Sequence, residues 1–178
     1  STQGALSLSD AEIFKQAYRP LLPGVRHIHY GSYRDLAEIS SQTAAVFIET
    51  VQGEAGVRVA CREYFRALRQ RCDETGTLLV LDEIQAGFGR TGTFWAFEQF
   101  GIVPDVLLCA KGMGGGMPIG AFIASREIMS VLTHNPILGH LTTFGGHPVS
   151  CAAALATLQI IQDENLLAGV AAKAQLFR

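Results

Sequence analysis

Two segments of the chain place ionisable side chains directly after short apolar runs. In the first, residues 78–81 are apolar and are followed by Asp82 and Glu83. In the second, residues 106–110 are apolar and are followed by Lys111 and a glycine-rich stretch. In an open α/β sheet, ligands bind in the crevice at the carboxyl ends of the strands, which is where these residues are expected. Both segments therefore predict a ligand site.

Lys111 has the most specific chemistry of this set. Desolvation disfavours an ammonium group at the end of an apolar strand, so a lysine there favours a function for the amine. Desolvation also favours the neutral amine, which is the nucleophile in Schiff-base chemistry. Taken alone, the acids could instead cap a helix or lie at the surface, and the lysine could face solvent.

The strand that ends in Asp82 and Glu83 also has the form of the magnesium-binding strand of a P-loop ATPase. Such an enzyme needs a G-x-x-x-x-G-K-[ST] loop for its phosphates. None of the lysines of the chain, Lys15, Lys111 and Lys173, completes that pattern. We therefore reject the ATPase class unless the loop lies outside this chain.

Composition excludes several broad classes of protein. The 178 residues include 14 Lys+Arg and 16 Asp+Glu, so the net charge of −2 gives no basic surface for nucleic acid. With 48% hydrophobic residues the chain is too apolar to be disordered, and no apolar run reaches the roughly 18 residues of a membrane span. The four cysteines form no C-x-x-C pair and the five histidines are not clustered. We therefore expect no bound metal, reduced thiols and a cytoplasmic protein.

Short apolar runs alternate with helical patterns along the chain. The expected strands are His27–Tyr30, Ala45–Thr50, Leu78–Asp82, Val106–Cys109 and Ile119–Ala124. The expected helices are Ala11–Tyr18, Cys61–Thr75, a helix from Pro148 onward that includes the Ala- and Leu-rich Cys151–Ile161, and, after an interruption at Asp163, Leu166–Phe177. Strands without polar alternation, separated by helices, predict a three-layer αβα fold with a mostly parallel sheet between helices.

Four motifs in a fixed order cover nearly the whole chain. They are Val51-Gln52-Gly53-Glu54-Ala55-Gly56, Leu81-Asp82-Glu83-Ile84-Gln85-Ala86-Gly87-Phe88-Gly89-Arg90-Thr91-Gly92, the stretch from Pro104-Asp105 to Ala110-Lys111-Gly112, and Thr143-Phe144-Gly145-Gly146. Together these motifs resemble the class III aminotransferases, which are pyridoxal-phosphate enzymes of fold type I. We therefore interpret the chain as an internal piece of the large, cofactor-binding domain of such an enzyme.

The resemblance implies catalytic roles for two residues. Lys111 would hold pyridoxal 5'-phosphate as a Schiff base and, once released by substrate, would move the substrate proton. Asp82 would face the pyridine nitrogen and keep it protonated, so that the ring can accept electrons.

The resemblance also implies four further contacts. Ile84 would pack on a face of the ring, and Gln85 would reach its phenolic oxygen. Thr143 would bind the cofactor phosphate of the neighbouring subunit, which implies a homodimer with shared active sites. Glu54 matches the glutamate that, in the members acting on ω-amino acids, pairs with an arginine used to bind substrate carboxylate.

The chain departs from the family pattern at three positions. Thr50 stands where proline usually follows the strand acid, Ala86 replaces a common threonine, and His147 replaces a common asparagine. We expect residues 1–162 to belong to the cofactor-binding domain and residues 163–178 to lead toward a small C-terminal domain. The turn that cradles the cofactor phosphate, the aromatic residue that stacks on the ring and the substrate arginine are expected outside this chain.

The expected reaction is amino transfer between an amine donor, acetylornithine or another ω-amino acid, and a 2-oxo acid such as 2-oxoglutarate. Two alternatives remain open. A relative with the same lysine could be an aminomutase or a decarboxylase, in which case oxo acid is not consumed as amine is lost. The chain alone could also be a non-catalytic globular fragment, which would give no absorbance band on addition of the cofactor.

Overall fold

A computed structural model of the chain describes residues 2–177, and a four-stranded sheet forms its centre. The strands are β1 (Ala45–Glu49), β2 (Leu78–Asp82), β3 (Val106–Cys109) and β4 (Ala121–Ala124), which lie side by side in this order. Strands β1, β2 and β3 are parallel, whereas β4 pairs antiparallel with β3. The three parallel strands therefore bring their carboxyl ends to the same edge of the sheet.

Six α-helices are assigned within residues 2–177. They are α1 (Gln3–Leu8), α2 (Glu12–Lys15), α3 (Arg62–Thr75), α4 (Arg126–Ser130), α5 (Pro148–Asp163) and α6 (Val170–Gln175). Short 3₁₀ turns lie between them, including Ala96–Phe100 and Lys111–Gly114. A mostly parallel sheet with flanking helices confirms the expected αβα fold class. Among the helices described here, none is long and apolar enough to cross a membrane.

Helix α3 ends where its sequence predicts, at Thr75, and begins one residue later than predicted, at Arg62. Cys61 is its N-cap, and Gly76 ends it in the left-handed conformation with φ 69°. The apolar residues at helical spacing, Tyr64, Phe65, Leu68 and Cys72, are all buried. This face packs against the sheet because burial of apolar surface is the main favourable contribution to folding.

The main core lies between α3 and one face of the sheet. Leu79 and Leu81 of β2 and Leu107 of β3 are buried in it. The Phe65 ring of α3 lies 4.3 Å, centroid to centroid, from that of Phe100. Since side chains alternate along a strand, this packing fixes which residues of each strand point to the opposite face.

The opposite face of the sheet is less completely covered. With Ile128 and Met129 of α4, it lines an apolar groove of about 310 Å³. Phe47 of β1 remains 48% exposed on this face. Glu49 and Asp82 lie on the same face, two residues beyond Phe47 and Val80, at the carboxyl edge.

Several expected elements differ from the structure. Strand β1 ends at Glu49 rather than Thr50, and the helix expected over Ala11–Tyr18 is divided into α2 and a 3₁₀ turn, Gln16–Tyr18. His27–Tyr30 is not a strand, because the backbone amide of His29 donates to the Asp35 carboxylate, at 2.9 Å, instead of to a neighbouring strand. The last strand begins at Ala121 rather than Ile119. The helix expected over Leu166–Phe177 is divided into a 3₁₀ turn, Leu166–Gly169, and α6.

A substitution at Leu68 tests the location of the core. The side chain is fully buried, so Leu68→Ala is expected to lower the free energy of unfolding by about 2–5 kcal/mol. Leu155→Ala is the matched control, since Leu155 is also helical but 57% exposed, and it should change stability by about 0.5 kcal/mol or less. Urea unfolding followed by circular dichroism measures both variants. Equal losses would contradict the assignment of the core to α3.

Candidate active site

Two carboxylates lie side by side at the carboxyl edge of the sheet. Glu49 and Asp82 are the last residues of β1 and β2 and are opposite each other in the register. Burial and the negative charge of Asp82 raise the pKa of Glu49, while the Gly53 amide and the Lys111 ammonium oppose this rise. The sequence analysis did not select Glu49, although it ends an apolar strand in the same way as Asp82.

Lys111 lies at the same edge. It begins a 3₁₀ turn two residues after the end of β3, which pairs in parallel with β2. Its backbone has φ 44°, a left-handed conformation that is uncommon for a residue with a side chain and is frequent at functional sites. The charges of Lys111 and Asp82 both act on Glu49. The edge therefore combines an exposed amine with two half-buried carboxyl groups.

The turn after β2 orients the Asp82 carboxylate. The backbone amide of Ile84 donates to Asp82 Oδ1 at 2.9 Å. A hydrogen bond from a backbone amide to a carboxylate is charge-assisted and therefore comparatively strong. Ile84 itself is half-buried beside this turn. One oxygen of Asp82 is thereby held by the backbone of its own turn.

Gln85 and Glu54 form a pair at the surface. The Gln85 amide Nε2 donates to Glu54 Oε1 at 3.3 Å. Gly53 packs closely against the Gln85 side chain. A Cβ added at position 53 would clash with Gln85 Oε1. The glycine of the Val51–Gly56 motif therefore leaves the space that the Gln85 side chain occupies.

Glu83 has a structural environment quite different from that of Asp82. Its side chain is fully buried. Oε1 accepts hydrogen bonds from Thr50 Oγ1 and the Phe97 amide, and Oε2 accepts one from the Ala96 amide, all at 2.9 Å. Burial raises the pKa of Glu83, and these three donors oppose the rise. Thr50, which stands where the family usually has proline, thus supplies a hydroxyl donor that proline lacks.

Asp105 fixes the amino end of β3 rather than the carboxyl edge. Its Oδ2 accepts hydrogen bonds from the Leu79 amide, at 2.7 Å, and from Arg69 Nη1, at 2.8 Å. The Asp105 amide in turn donates to the Leu79 carbonyl at 2.9 Å. This part of the third motif therefore holds β2, β3 and α3 together.

Thr143 is the remaining residue of the predicted site. It lies in the exposed segment 134–147. Within residues 2–177, no hydrogen bond links it to Asp82 or Lys111. Phe144, the next residue, is 78% exposed. A contact of Thr143 with a neighbouring subunit stays a prediction.

Comparison with known proteins agrees with the resemblance seen in the motifs. The aminotransferase class-III family matches residues 1–178. The chain therefore belongs to the class III aminotransferases, a family of pyridoxal-phosphate enzymes.

Solved structures of aminotransferases are similar to this chain. Ornithine aminotransferase from Toxoplasma gondii is 36% identical over 93% of the chain, with a TM-score of 0.86. An aminotransferase from Bacillus anthracis is 28% identical over 98% of it, with a TM-score of 0.87. Ornithine δ-aminotransferase from Plasmodium falciparum is 33% identical over 84% of it, with a TM-score of 0.76. The chain covers 39%, 45% and 39% of these three proteins, so it spans less than half the length of each.

The bond between Thr50 and Glu83 can be tested by removing one hydroxyl. Thr50→Val leaves Glu83 Oε1 with one donor fewer and is expected to lower the free energy of unfolding by about 1–3 kcal/mol. Thr50→Ser is the matched control because it keeps the hydroxyl, and it should lose less. Urea unfolding measures both. If Ser proved as destabilising as Val, packing of the Thr50 methyl group would account for the loss instead.

The proximity of Glu49 and Asp82 predicts an electrostatic coupling. Asp82→Asn removes a negative charge beside Glu49 and is expected to lower the pKa of Glu49. A titration of the Glu49 carboxyl ¹³C resonance measures this shift. Glu54→Gln is the control. Glu54 raises the pKa of Glu49 less than Asp82 does, so this substitution should lower that pKa by a smaller amount. A larger shift in the control would contradict the geometry of the strand ends.

Proposed function

We propose that this chain is part of an enzyme that transfers an amino group between an amine donor and a 2-oxo acid, using pyridoxal phosphate. The observation that carries the proposal is the sheet edge where β2 ends in Asp82 and β3 leads into Lys111. Membership of the class III aminotransferases supports the type of reaction. The similarity to ornithine aminotransferases supports acetylornithine or another ω-amino acid as the donor, with 2-oxoglutarate as the acceptor.

The side chains at this edge match the chemical groups that pyridoxal phosphate needs. The cofactor needs an amine for covalent attachment and an acid opposite its ring nitrogen, and Lys111 and Asp82 offer these groups on neighbouring strands. When bound, pyridoxal phosphate supplies an electron-accepting ring and the aldehyde carbon that receives the amino group. The remaining steps depend on side chains of the protein.

Lys111 holds the cofactor and moves the proton. Its Nζ, once free, is the base that removes the proton from the substrate carbon bearing the amino group and later returns it. The exposure of Lys111 supports this role, since the side chain is free to move between attachment and proton transfer.

Asp82 would accept a hydrogen bond from the ring nitrogen of the cofactor and keep that nitrogen protonated. The Ile84 amide already bonds one carboxylate oxygen, which leaves the other available for the ring. The negative charge of Asp82 is also one cause of the raised pKa of Glu49, which shows that the two carboxyl groups are close enough to interact.

Ile84, Gln85, Glu54 and Thr143 complete the proposed site. Ile84 would pack on a face of the cofactor ring, and the Gln85 amide would donate to its phenolic oxygen. Glu54, which accepts from Gln85 in the structure, pairs with an arginine that binds the substrate carboxylate. Thr143 binds the cofactor phosphate of the neighbouring subunit, so the active enzyme is a homodimer.

The domain boundary and the cellular location belong to the same proposal. Residues 1–162 form part of the cofactor-binding domain, and residues 163–178 lead toward a smaller C-terminal domain; α5 ends at Asp163, beside this boundary. The four cysteines are free in the structure, which supports a reducing, cytoplasmic location.

Borohydride reduction of the complete protein with pyridoxal phosphate tests the role of Lys111. Peptide mapping is expected to find the reduced cofactor on Lys111, and Lys111→Ala should lower transamination by about 10²-fold or more because the proton base is lost. Lys15→Ala and Lys173→Ala are matched controls that should keep both the tag and the activity. A tag on Lys15 or Lys173 would refute the assignment. Amine loss without consumption of 2-oxo acid would instead indicate an aminomutase or a decarboxylase.

A further inference from the structure

A second polar cleft lies in the N-terminal part of the chain. It has a volume of about 230 Å³, and the polar side chains that line it are Ser7, Lys15, Arg19 and His27. A water molecule takes up about 30 Å³ of liquid, so the cleft has room for several waters or for one polyatomic ion. None of these four residues belongs to the motifs of the candidate active site.

Lys15 is the unusual residue of this cleft. It ends α2 and is only 6% exposed. Among residues 2–177, no side chain or carbonyl forms a hydrogen bond or an ion pair with its ammonium group. The charge of Lys15 acts on Glu12, one turn earlier, but the Glu12 carboxylate is bonded to Arg19. The Lys15 side chain lines the cleft, and since its ammonium group has no partner among the described residues, an anion there would supply one.

Arg19 adds a second cation at the cleft. Its Nε and Nη2 donate to the Glu12 carboxylate at distances of 2.8–3.2 Å. This pairing orients the guanidinium group and leaves Nη1 without a hydrogen bond to any residue that the structure describes. Arg19 therefore has donors remaining for an anion, although Glu12 balances part of its charge.

The walls of the cleft are fixed by hydrogen bonds. The Ser7 hydroxyl donates to the Gln3 carbonyl at 2.7 Å and accepts from the Leu22 amide at 3.0 Å. His27 Nε2 bonds the Leu8 carbonyl at 3.2 Å. No acidic side chain is among the lining residues. The cleft thus presents two cations, while the Ser7 hydroxyl and His27 Nε2 already have partners.

We propose that this cleft binds phosphate, either as the free ion or as the phosphoryl group of a small metabolite. Lys15 Nζ and Arg19 Nη1 would donate to its oxygens. Lysine acts as a point charge at phosphate sites, and arginine donates in a fixed geometry that matches phosphate oxygens. The site is independent of the proposed transamination, because it uses none of the residues assigned to that reaction.

Titration of the chain with inorganic phosphate tests the proposal. Saturable shifts of the Ser7 and Leu22 amide resonances are expected in ¹H–¹⁵N spectra, whereas sodium chloride at equal ionic strength should not produce them. Lys15→Met should weaken binding by about tenfold, the loss expected for one charge-assisted hydrogen bond. Lys173→Met, at an exposed lysine of α6, is the matched control and should bind as the unaltered chain does.

A second variant and a second ligand keep the test decisive. If Lys15→Met does not fold, Arg19→Gln at a partly exposed side chain should weaken binding several-fold. Tighter binding of glycerol phosphate than of inorganic phosphate would identify the phosphoryl group of a metabolite, and the reverse would identify the free ion. Shifts that do not saturate, equal weakening in Lys173→Met, or acetate binding as tightly as phosphate would each overturn the proposal.

Discussion

The buried carboxylate of Glu83 is the interaction on which the carboxyl edge of the sheet depends. It follows β2, accepts the Thr50 hydroxyl at the end of β1, and accepts the amides that open the 3₁₀ turn Ala96–Phe100. Its own amide donates to the Leu108 carbonyl of β3 at 3.0 Å. One residue therefore joins the ends of three parallel strands. A buried carboxylate that loses a hydrogen-bond partner is destabilising. The loss of any of these partners would therefore weaken the packing of all three strand ends.

Asp82 and Glu83 are adjacent in the sequence but have different environments, because successive side chains of a strand point to opposite sides. Glu83 is buried and fully bonded, whereas Asp82 is half-buried on the face that also carries Glu49. Of these two acids, only Asp82 has an oxygen without a hydrogen bond to any residue that the structure describes, since the Ile84 amide donates to the other oxygen. The separation of the two roles is thus a result of strand geometry, and it requires the rigid support that Glu83 provides.

The sequence predicts the elements whose pattern is local and misses those that depend on distant partners. Apolar spacing and a terminal glycine identify α3, and continuous apolar runs identify β2 and β3. His27–Tyr30 has the composition of a strand, but the Asp35 side chain takes the amide that a neighbouring strand would need. Glu49 ends an apolar run as Asp82 does, but no pattern in the sequence shows that β1 and β2 are neighbours, and Lys15 belongs to none of the motifs. Their environments arise only when β1 pairs with β2 and when α2 packs beside residues 19–27.

The position of Lys111 follows from the packing of α5. The left-handed backbone of Lys111 costs about 1–3 kcal/mol in general, and the turn that contains it is held by the bond from the Met113 amide to the Ala110 carbonyl, at 3.0 Å. Gly115 ends this turn with φ 55° against α5, where a Cβ would lie 2.2 Å from Thr157 Oγ1. The glycine-rich stretch after Lys111 is therefore needed for the helix to approach the turn closely. The turn that begins at Lys111 thus packs against α5, at the edge of the sheet where β2 ends in Asp82.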